Sequence, residues 1–478
     1  MKKDLRKTKI VGTIGPASEN RLQELFEAGL NVCRINYSHG GWEEQQYKTE
    51  EVLRIREELD LPIALLLDTQ GPEIRTGMME GGKTEKTYLD DGQRFVLVND
   101  YNVIGNKERT AVTYANLYQD VEPGTKILID DGAIELRVEE ISGTDIITTV
   151  VHGGGLGSRK TMNLPGTVIK LPALKDKDIE DLKTACEHGY DFVAASFTRN
   201  SDDIAQIRRV LDENGGQDIK IITKIENIEG VNNLDTIVDV ADGQMIARGD
   251  MATELDFTEP PIYQKQIIKR CNKEYKPSIT ATQMLESMQN NPLPTRAEAS
   301  DVANAVFDRT GAVMLSGECA SGKYPVECVK TMDKIAKRVE GTIDYWKRFN
   351  DSQYDSPILE DDIAYTTCIA AEHMEADAIV AYTHTGDTPR RLSGLGAGVP
   401  IFAITDNKRT FRQLGLSWNV YPVFVGDGEN IDDTIDKGIE KLKQKGYLES
   451  GDKVITCGGK DYLKNVRRSQ VIAGCAIL

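Results

Sequence analysis

The sequence has 478 residues, which at about 150 residues per domain points to roughly three domains. It is 40% hydrophobic, 28% charged and only 6% aromatic, a balance that excludes a disordered chain and gives no stretch of transmembrane length. Lys plus Arg number 58 against 76 Asp plus Glu, a net charge of −18, so the bulk field repels nucleic acid and anionic membrane surfaces, and an anionic substrate needs a local basic pocket.

In chain order, short apolar runs alternate with amphipathic stretches, the rhythm of parallel βα units. The predicted strands are Ile10 to Ile14, Val32 to Ile35, Ile63 to Leu67, Phe192 to Ala195, Ile219 to Ile222, Met245 to Ala247, Ser278 to Ala281 and Val313 to Leu315. Helical patterns lie between them, among them Glu43 to Leu59, Asp202 to Asn214 and Arg296 to Phe307. Eight such units predict a closed (β/α)8 barrel. Between the third and fourth strands the pattern turns to alternation, with strand-like runs at 95–98, 126–129, 133–138 and 146–151 separated by Asp-Gly and Ser-Gly turns. This predicts an inserted all-β lid. Past about residue 345, four further apolar runs, at 378–382, 401–404, 420–425 and 454–456, predict an open α/β domain. The expected boundaries are 1–70 with 164–344 for the barrel, 71–163 for a β-barrel lid and 345–478 for the C-terminal domain.

Eight cysteines show no Cys-x-x-Cys pair, and the basic start Met1 to Lys7 is followed by no apolar signal region. Reduced thiols and a cytoplasmic location are expected.

A barrel places its chemistry where the strands end. Here the second strand ends in Arg34-Ile35-Asn36-Tyr37-Ser38-His39-Gly40 and the third in Asp68-Thr69-Gln70-Gly71-Pro72-Glu73-Ile74-Arg75. The fifth to eighth give Lys224-Ile225-Glu226-Asn227, Arg248-Gly249-Asp250, Thr282-Gln283 and Ser316-Gly317-Glu318. Alone, Lys224 with Glu226 reads as a strand-end ion pair, and Thr282 or Ser316 as a hydroxyl bonding nearby backbone. Gathered at one barrel end they point further. Arginines and a lysine suit a phosphorylated anion, and Glu226 with Asp250 are hard oxygen ligands that leave several positions of a Mg2+ ion to water and substrate. Metal-assisted phosphoryl transfer is the reaction class implied. Neither a P-loop nor a protein-kinase catalytic loop is present in the sequence. Asn36, Ser38 and Asp68 side-chain oxygens with the Thr69 carbonyl make a candidate monovalent-cation cage at adjacent strand ends.

The segments Lys9 to Pro16, Arg34 to Gly40, Asp68 to Gly77, Asn163 to Gly166, Ile222 to Asn227, Ala281 to Met288 and Pro294 to Ala305, taken in order, resemble the pyruvate kinase family. The resemblance implies conversion of phosphoenolpyruvate and ADP to pyruvate and ATP with Mg2+ or Mn2+ and usually K+, in a homotetramer. It implies that Arg34 and Arg75 hold the phosphoryl group and that Lys224 neutralises charge on it and on the enolate. Glu226 and Asp250 would ligate the divalent metal, while Gly249 and Asp250 amides and Thr282 would face the substrate carboxylate. Thr282, Ser316 and Glu318 would line the relay that protonates carbon three, and Asn36, His39, Arg75 and Lys177 would contact ADP. Family members that work without K+ resemble this chain but carry lysine at the position of Glu73.

Met251-Ala252-Thr253 replaces the family's Leu-Gly-Val, which is tolerable if the segment is helical. Cys319 stands where threonine is usual, read as a small buried substitute. Thr383, Thr385, Gly386, Thr388 and Arg390 resemble a loop that cradles a phosphorylated effector, with Pro389 in place of alanine. Two other readings are a metal-dependent lyase or mutase acting on phosphoenolpyruvate or pyruvate, against which the inserted lid argues, and a catalytically silent regulatory paralogue.

Overall fold

The computed structural model describes residues 4–38, 40–82, 84–352, 354–426, 431–458 and 471–477. Its centre is a closed barrel of eight parallel strands: β1 (Lys9–Thr13), β2 (Val32–Asn36), β3 (Ala64–Asp68), β4 (Phe192–Ala195), β5 (Lys220–Ile225), β6 (Gly243–Ala247), β7 (Ser278–Ala281) and β8 (Ala312–Leu315). Each strand pairs with its neighbours in sequence, and β8 closes on β1 with Lys9 beside Ala312. The strands read as unbroken apolar runs because both faces are covered. Ala64 and Leu66 turn into a central cluster with Val11, Ala194 and Met245, while the alternate residues Leu65 and Leu67 pack outward against the helices. That division follows the two-residue period of a strand. Truncating a fully buried member such as Leu66 to alanine removes about 2–5 kcal/mol of stability.

Helix starts are marked by side chains that satisfy the first free amides. Asn200 accepts from the Asp202 and Asp203 amides at 3.1 Å ahead of Ser201–Glu213. Thr295 and Glu298 form a reciprocal capping box ahead of Arg296–Phe307.

The insert has its own apolar core, including Phe95, Leu97, Ile127, Leu136 and Val150. Its seven-stranded sheet runs, from one edge to the other, Ile74–Arg75, Thr161–Asn163, Lys126–Ile129, Ile134–Ser142, Asp145–His152, Arg94–Val98 and Arg109–Ala111. The edges meet through a Thr76–Val112 bridge and a Thr113 amide donating to the Arg75 carbonyl at 2.9 Å, so the sheet curls back on itself. Positive φ at Asp131, Gly132 and Gly143 makes the hairpin turns that the Asp-Gly and Ser-Gly pairs signal.

The C-terminal five-stranded sheet has the order Val420–Phe424, Ile401–Thr405, Ala378–Tyr382, Lys453–Gly458, Val471–Ile477. Four strands are parallel and the last runs antiparallel; the sequence pattern gives the four but not the fifth. The sheet docks at the barrel end opposite the strand termini that carry the charges. There buried Asp191, which precedes β4, accepts from Arg56 at 3.0 Å and Arg412 at 2.8 Å. Lys9 donates to the Val420 carbonyl at 2.6 Å, and burial, with Arg6 beside it, pulls its ammonium down to about 7. Among the described residues, no helix is long and apolar enough to cross a membrane.

Candidate active site

Lys224, near the end of β5, points across the barrel mouth. Its Nζ donates to Ser196 Oγ at 2.8 Å and lies 3.3 Å from Asp68 Oδ1 and 2.9 Å from Glu226 Oε1. Arg34, on β2, sends Nε to Asp68 Oδ2 at 2.6 Å and Nη1 to Thr13 Oγ1 at 2.8 Å; among the described residues its Nη2 makes no hydrogen bond. Strands β2, β3 and β5 thus bring together Arg34, Asp68, Lys224 and Glu226, as the strand-end reading expects. Asp68 and Glu226 are fully buried.

The titration behaviour follows from these contacts. Burial opposes ionisation of Asp68, but Arg34 and Lys224 outweigh it and hold the carboxyl below its ordinary value. Burial likewise opposes the Lys224 charge, and Asp68, Glu226 and Asp250 outweigh it to raise the ammonium above its ordinary range. Glu226 goes the other way: burial, partly offset by Lys224 and reinforced by Asp250, pushes it up to about 8. Lys224 is thus shared between the two carboxylates, 3.3 Å from Asp68 and 2.9 Å from Glu226. Glu226 Oε2 accepts from the Phe197 amide at 2.5 Å, while Oε1 faces the Lys224 ammonium at 2.9 Å. A buried glutamate whose titration is raised further by the charge of Asp250 forms with it a pair of hard oxygen donors that fits a divalent cation.

Asp250 lies in the first turn of a short helix, Arg248–Glu254. Ala252 is inside that helix and has no positive φ, so alanine for glycine there favours the helix. The Gly249 amide donates to Thr282 Oγ1 at 2.8 Å, which joins two of the three expected carboxylate-binding groups. Thr282 and Gln283 hold φ of 67° and 53°, a strained conformation of the kind retained at functional sites. Arg248 fixes it by donating to the Ala281 and Thr282 carbonyls at 3.1 and 2.6 Å while pairing with Asp301 at 2.8 Å. Glu318 is fully buried, and its two oxygens accept from the Leu285 amide at 3.0 Å and the Ser316 amide at 2.7 Å. It braces the loops after β7 and β8 against each other. Cys319 is buried, and burial pushes its thiol well up.

Arg75 is not in this cluster: in the first short strand of the insert it pairs with Glu73 at 2.7 Å and donates to the Arg159 carbonyl at 3.1 Å. Lys177 reaches the Tyr37 carbonyl at 2.7 Å and Asp181 at 2.6 Å. His39 lies outside the described residues. Of the cation-cage residues, Asn36 and Asp68 are partners in strand register, Asn36 Oδ1 accepts from the Ser38 amide at 3.0 Å, and the Thr69 carbonyl lies 2.6 Å from Ser196 Oγ. A cleft of about 110 Å³ beside Asp250 separates the insert from the barrel, lined by Met162, Leu164, Ile169, Phe197 and Glu254. Asn163 bridges it by donating to Glu254 at 2.8 Å.

In the C-terminal loop, Thr383 Oγ1 accepts from the Gly386 amide at 2.8 Å and Thr385 Oγ1 donates to Asp387 at 2.9 Å. Arg390 donates to the Thr385 carbonyl at 3.0 Å and lies 3.5 Å from Asp387. Thr388 is buried in the first turn of the helix Asp387–Leu395. The side chains of Thr383, Thr385 and Arg390 thus find partners within the loop itself. His188 stacks on Trp42 at 3.5 Å between ring centroids and His384 bonds Asp406 at 2.6 Å.

The sequence reading passes over Ser196 and gives no role in the site to Thr13 or to Arg248, although it places Arg248 at a strand end. Ser196 follows the apolar run of β4 as directly as Lys224 follows that of β5, but a lone serine beside phenylalanine carries no charge signal.

Comparisons with known proteins agree on one family. The profile "Pyruvate kinase, barrel domain" matches residues 5–329 and "Pyruvate kinase, alpha/beta domain" matches 361–466. A pyruvate kinase of Clostridium acetobutylicum is 44% identical over 458 residues, 95% of this chain and 96% of the relative. One of Bacillus licheniformis is 44% identical over 95% of this chain and 78% of its own length. A crystal structure of a Cryptosporidium parvum pyruvate kinase superposes with a TM-score of 0.90 at 37% identity, covering 94% of this chain and 93% of that one.

Proposed function

The chain belongs to the pyruvate kinase family, phosphotransferases that make pyruvate and ATP from phosphoenolpyruvate and ADP, and from that premise we propose how its own residues carry the reaction. The observation that carries the proposal is Lys224 held between Asp68, Ser196 and Glu226 at the barrel mouth. Arg34 Nη2 and Lys224 Nζ bind the phosphoryl oxygens, with Arg75 joining when the insert closes. Their geometry is set before substrate arrives, so charge developing in transfer meets fixed cations at little reorganisation cost. Lys224 then faces the enolate oxygen. The Gly249 and Asp250 amides and the Thr282 hydroxyl orient the carboxylate. Carbon three is protonated through Thr282 and Ser316, with Glu318 placing both loops. Asn36, His39, Arg75 and Lys177 contact ADP, and the insert excludes water.

Glu226 and Asp250 would hold Mg2+ or Mn2+, which when bound supplies positive charge to the phosphoryl and enolate oxygens. Asn36, Ser38, Asp68 and Thr69 would hold K+. The chain divides into the barrel (1–70 and 164–344), the lid (71–163) and a C-terminal unit (345–478). We also place it in the cytoplasm as a homotetramer, by family.

The test is pyruvate formation from phosphoenolpyruvate with and without ADP, in Mg2+ and K+. Dependence on all three is expected. Pyruvate formed equally without ADP would indicate a hydrolase or lyase, and no turnover by folded protein a silent paralogue.

A further inference from the structure

We propose that Asp178 is the hinge clasp of the lid, a positioning residue that sets how the insert closes on Lys224; this rests on the reading of residues 71–163 as a lid. The chain leaves the barrel at Gly71, and the segment that comes back from the insert enters its first barrel helix, Asp176–Glu187, through Lys175. One carboxylate joins the two crossings: Asp178 Oδ1 accepts from the Gly71 amide and Oδ2 from the Lys175 amide, each at 3.0 Å. Asp178 is buried at 1% exposure, so no water substitutes for either bond. A second tie lies above it, where Lys175 Nζ donates to the Glu73 carbonyl at 3.0 Å.

The clasp also touches the catalytic cluster. Gly71 has φ of +70°, and a Cβ there would fall 2.7 Å from the Ser196 carbonyl oxygen and 2.8 Å from Ser196 Cβ. The Gly71 backbone thus lies flat on Ser196, whose hydroxyl holds Lys224 Nζ at 2.8 Å. Rotation of the lid at Gly71 bears on that serine.

Local helix capping accounts for half of this arrangement. An acidic residue at the third helical position commonly accepts from the amide preceding the helix, which explains Oδ2 on Lys175. It does not explain Oδ1 on an amide 107 residues away. The two roles separate by experiment. Asp178→Asn keeps one acceptor oxygen and turns an NH2 toward the other amide, so the crossings part while the helix remains.

Phosphoryl transfer needs the lid closed to a fixed geometry, where misplacement of about 1 Å costs as much as about 100-fold. Proton exchange at carbon three of pyruvate uses the barrel mouth alone. In Asp178→Asn we expect kcat/KM for ADP to fall about tenfold or more with proton exchange close to that of the parent, and Asp178→Glu to recover part of the loss. Transfer and exchange falling together would overturn the proposal by making Asp178 a plain fold residue, and neither changing would overturn it too. A second measurement needs no variant: amide hydrogen exchange at Gly71 and Lys175 in the parent, with and without phosphoenolpyruvate and ADP. The two amides should be protected together, and independent exchange would overturn the clasp. Replacing 71–163 by a short linker keeps the questions apart. If that protein retains full kinase activity, the lid reading falls; if it is inactive while Asp178→Asn is normal, only the clasp does.

Discussion

The barrel mouth and the loop at 383–390 are both rich in hydroxyls, amides and arginine, and both resemble phosphate sites, yet they are built oppositely. At the mouth, residues 34, 68, 196, 224 and 226 come from four strand ends, and two of the carboxylates are fully buried. They hold one another but leave Arg34 Nη2 without a hydrogen bond among the described residues. In the loop the side chains of Thr383, Thr385 and Arg390 find partners no more than five residues away, and the hydroxyls of Thr383 and Thr385 are already used. Long-range assembly fixes charges in positions that no local fold would choose, which is what preorganised catalysis requires. Local assembly satisfies itself, so a ligand has to displace something.

The contrast breaks most visibly at Lys224. Lys224→Met should cost about 100-fold or more in pyruvate formation, because it removes a preorganised cation aimed at developing charge. Among the described residues it also leaves Asp68 with Arg34 as its one paired cation and Glu226 with no paired cation, so thermal denaturation should be followed beside the assay. Near-normal turnover by a folded variant would end the assignment.

Next is the cation requirement. Glu73→Lys replaces the carboxylate 2.7 Å from Arg75 with an ammonium, which can supply the charge otherwise contributed by a bound monovalent ion. The rate should then become nearly independent of K+ in a tetramethylammonium buffer. Its maximum should drop, because Arg75 loses its partner and faces a second cation. A parent enzyme fully active without K+ would remove the cage, and a variant as K+-dependent as the parent would remove the role of residue 73.

Ser196→Ala tests whether neutral members of the mouth matter. It deletes the Lys224 acceptor and the hydroxyl beside Thr69, and turnover should fall about tenfold, the scale of one misdirected hydrogen bond to a charged group. Unchanged turnover would show that the carboxylates of Asp68 and Glu226 place the lysine without the serine.

What the sequence reveals follows the same division. All eight barrel strands are legible within a few residues, because parallel strands buried on both faces leave continuous apolar runs. Charged residues at strand ends are legible because water-loving side chains directly after such runs have no packing explanation. Ser196 and Thr13 are not, since a hydroxyl is unremarkable anywhere. Asp178 is hidden for another reason: its sequence signature is that of an ordinary helix start, and its second partner is Gly71, on the far side of an entire sheet. The strand Val471–Ile477 is antiparallel and follows none of the βα spacing that marks the other four.

The smallest effect is expected in the loop. Asp387 sits at the first position of its helix, 63% exposed, where the positive end of the helix dipole favours negative charge. It therefore occupies, with its own carboxylate, the place a phosphate would take. Pro389 adds to this by removing one amide from the first turn. Asp387→Asn keeps an acceptor for Thr385 but removes the charge that opposes an anion. At about 0.3–1 kcal/mol for a charge near an exposed helix terminus, phosphate binding should tighten about two- to fivefold. Calorimetric titration of parent and variant with inorganic phosphate reads this directly, with turnover in the absence of phosphate as a control that should not move. Equal binding in both would show that Asp387 is not what keeps anions out. A change in basal turnover would couple the loop to the barrel mouth, and the two regions would no longer be independent.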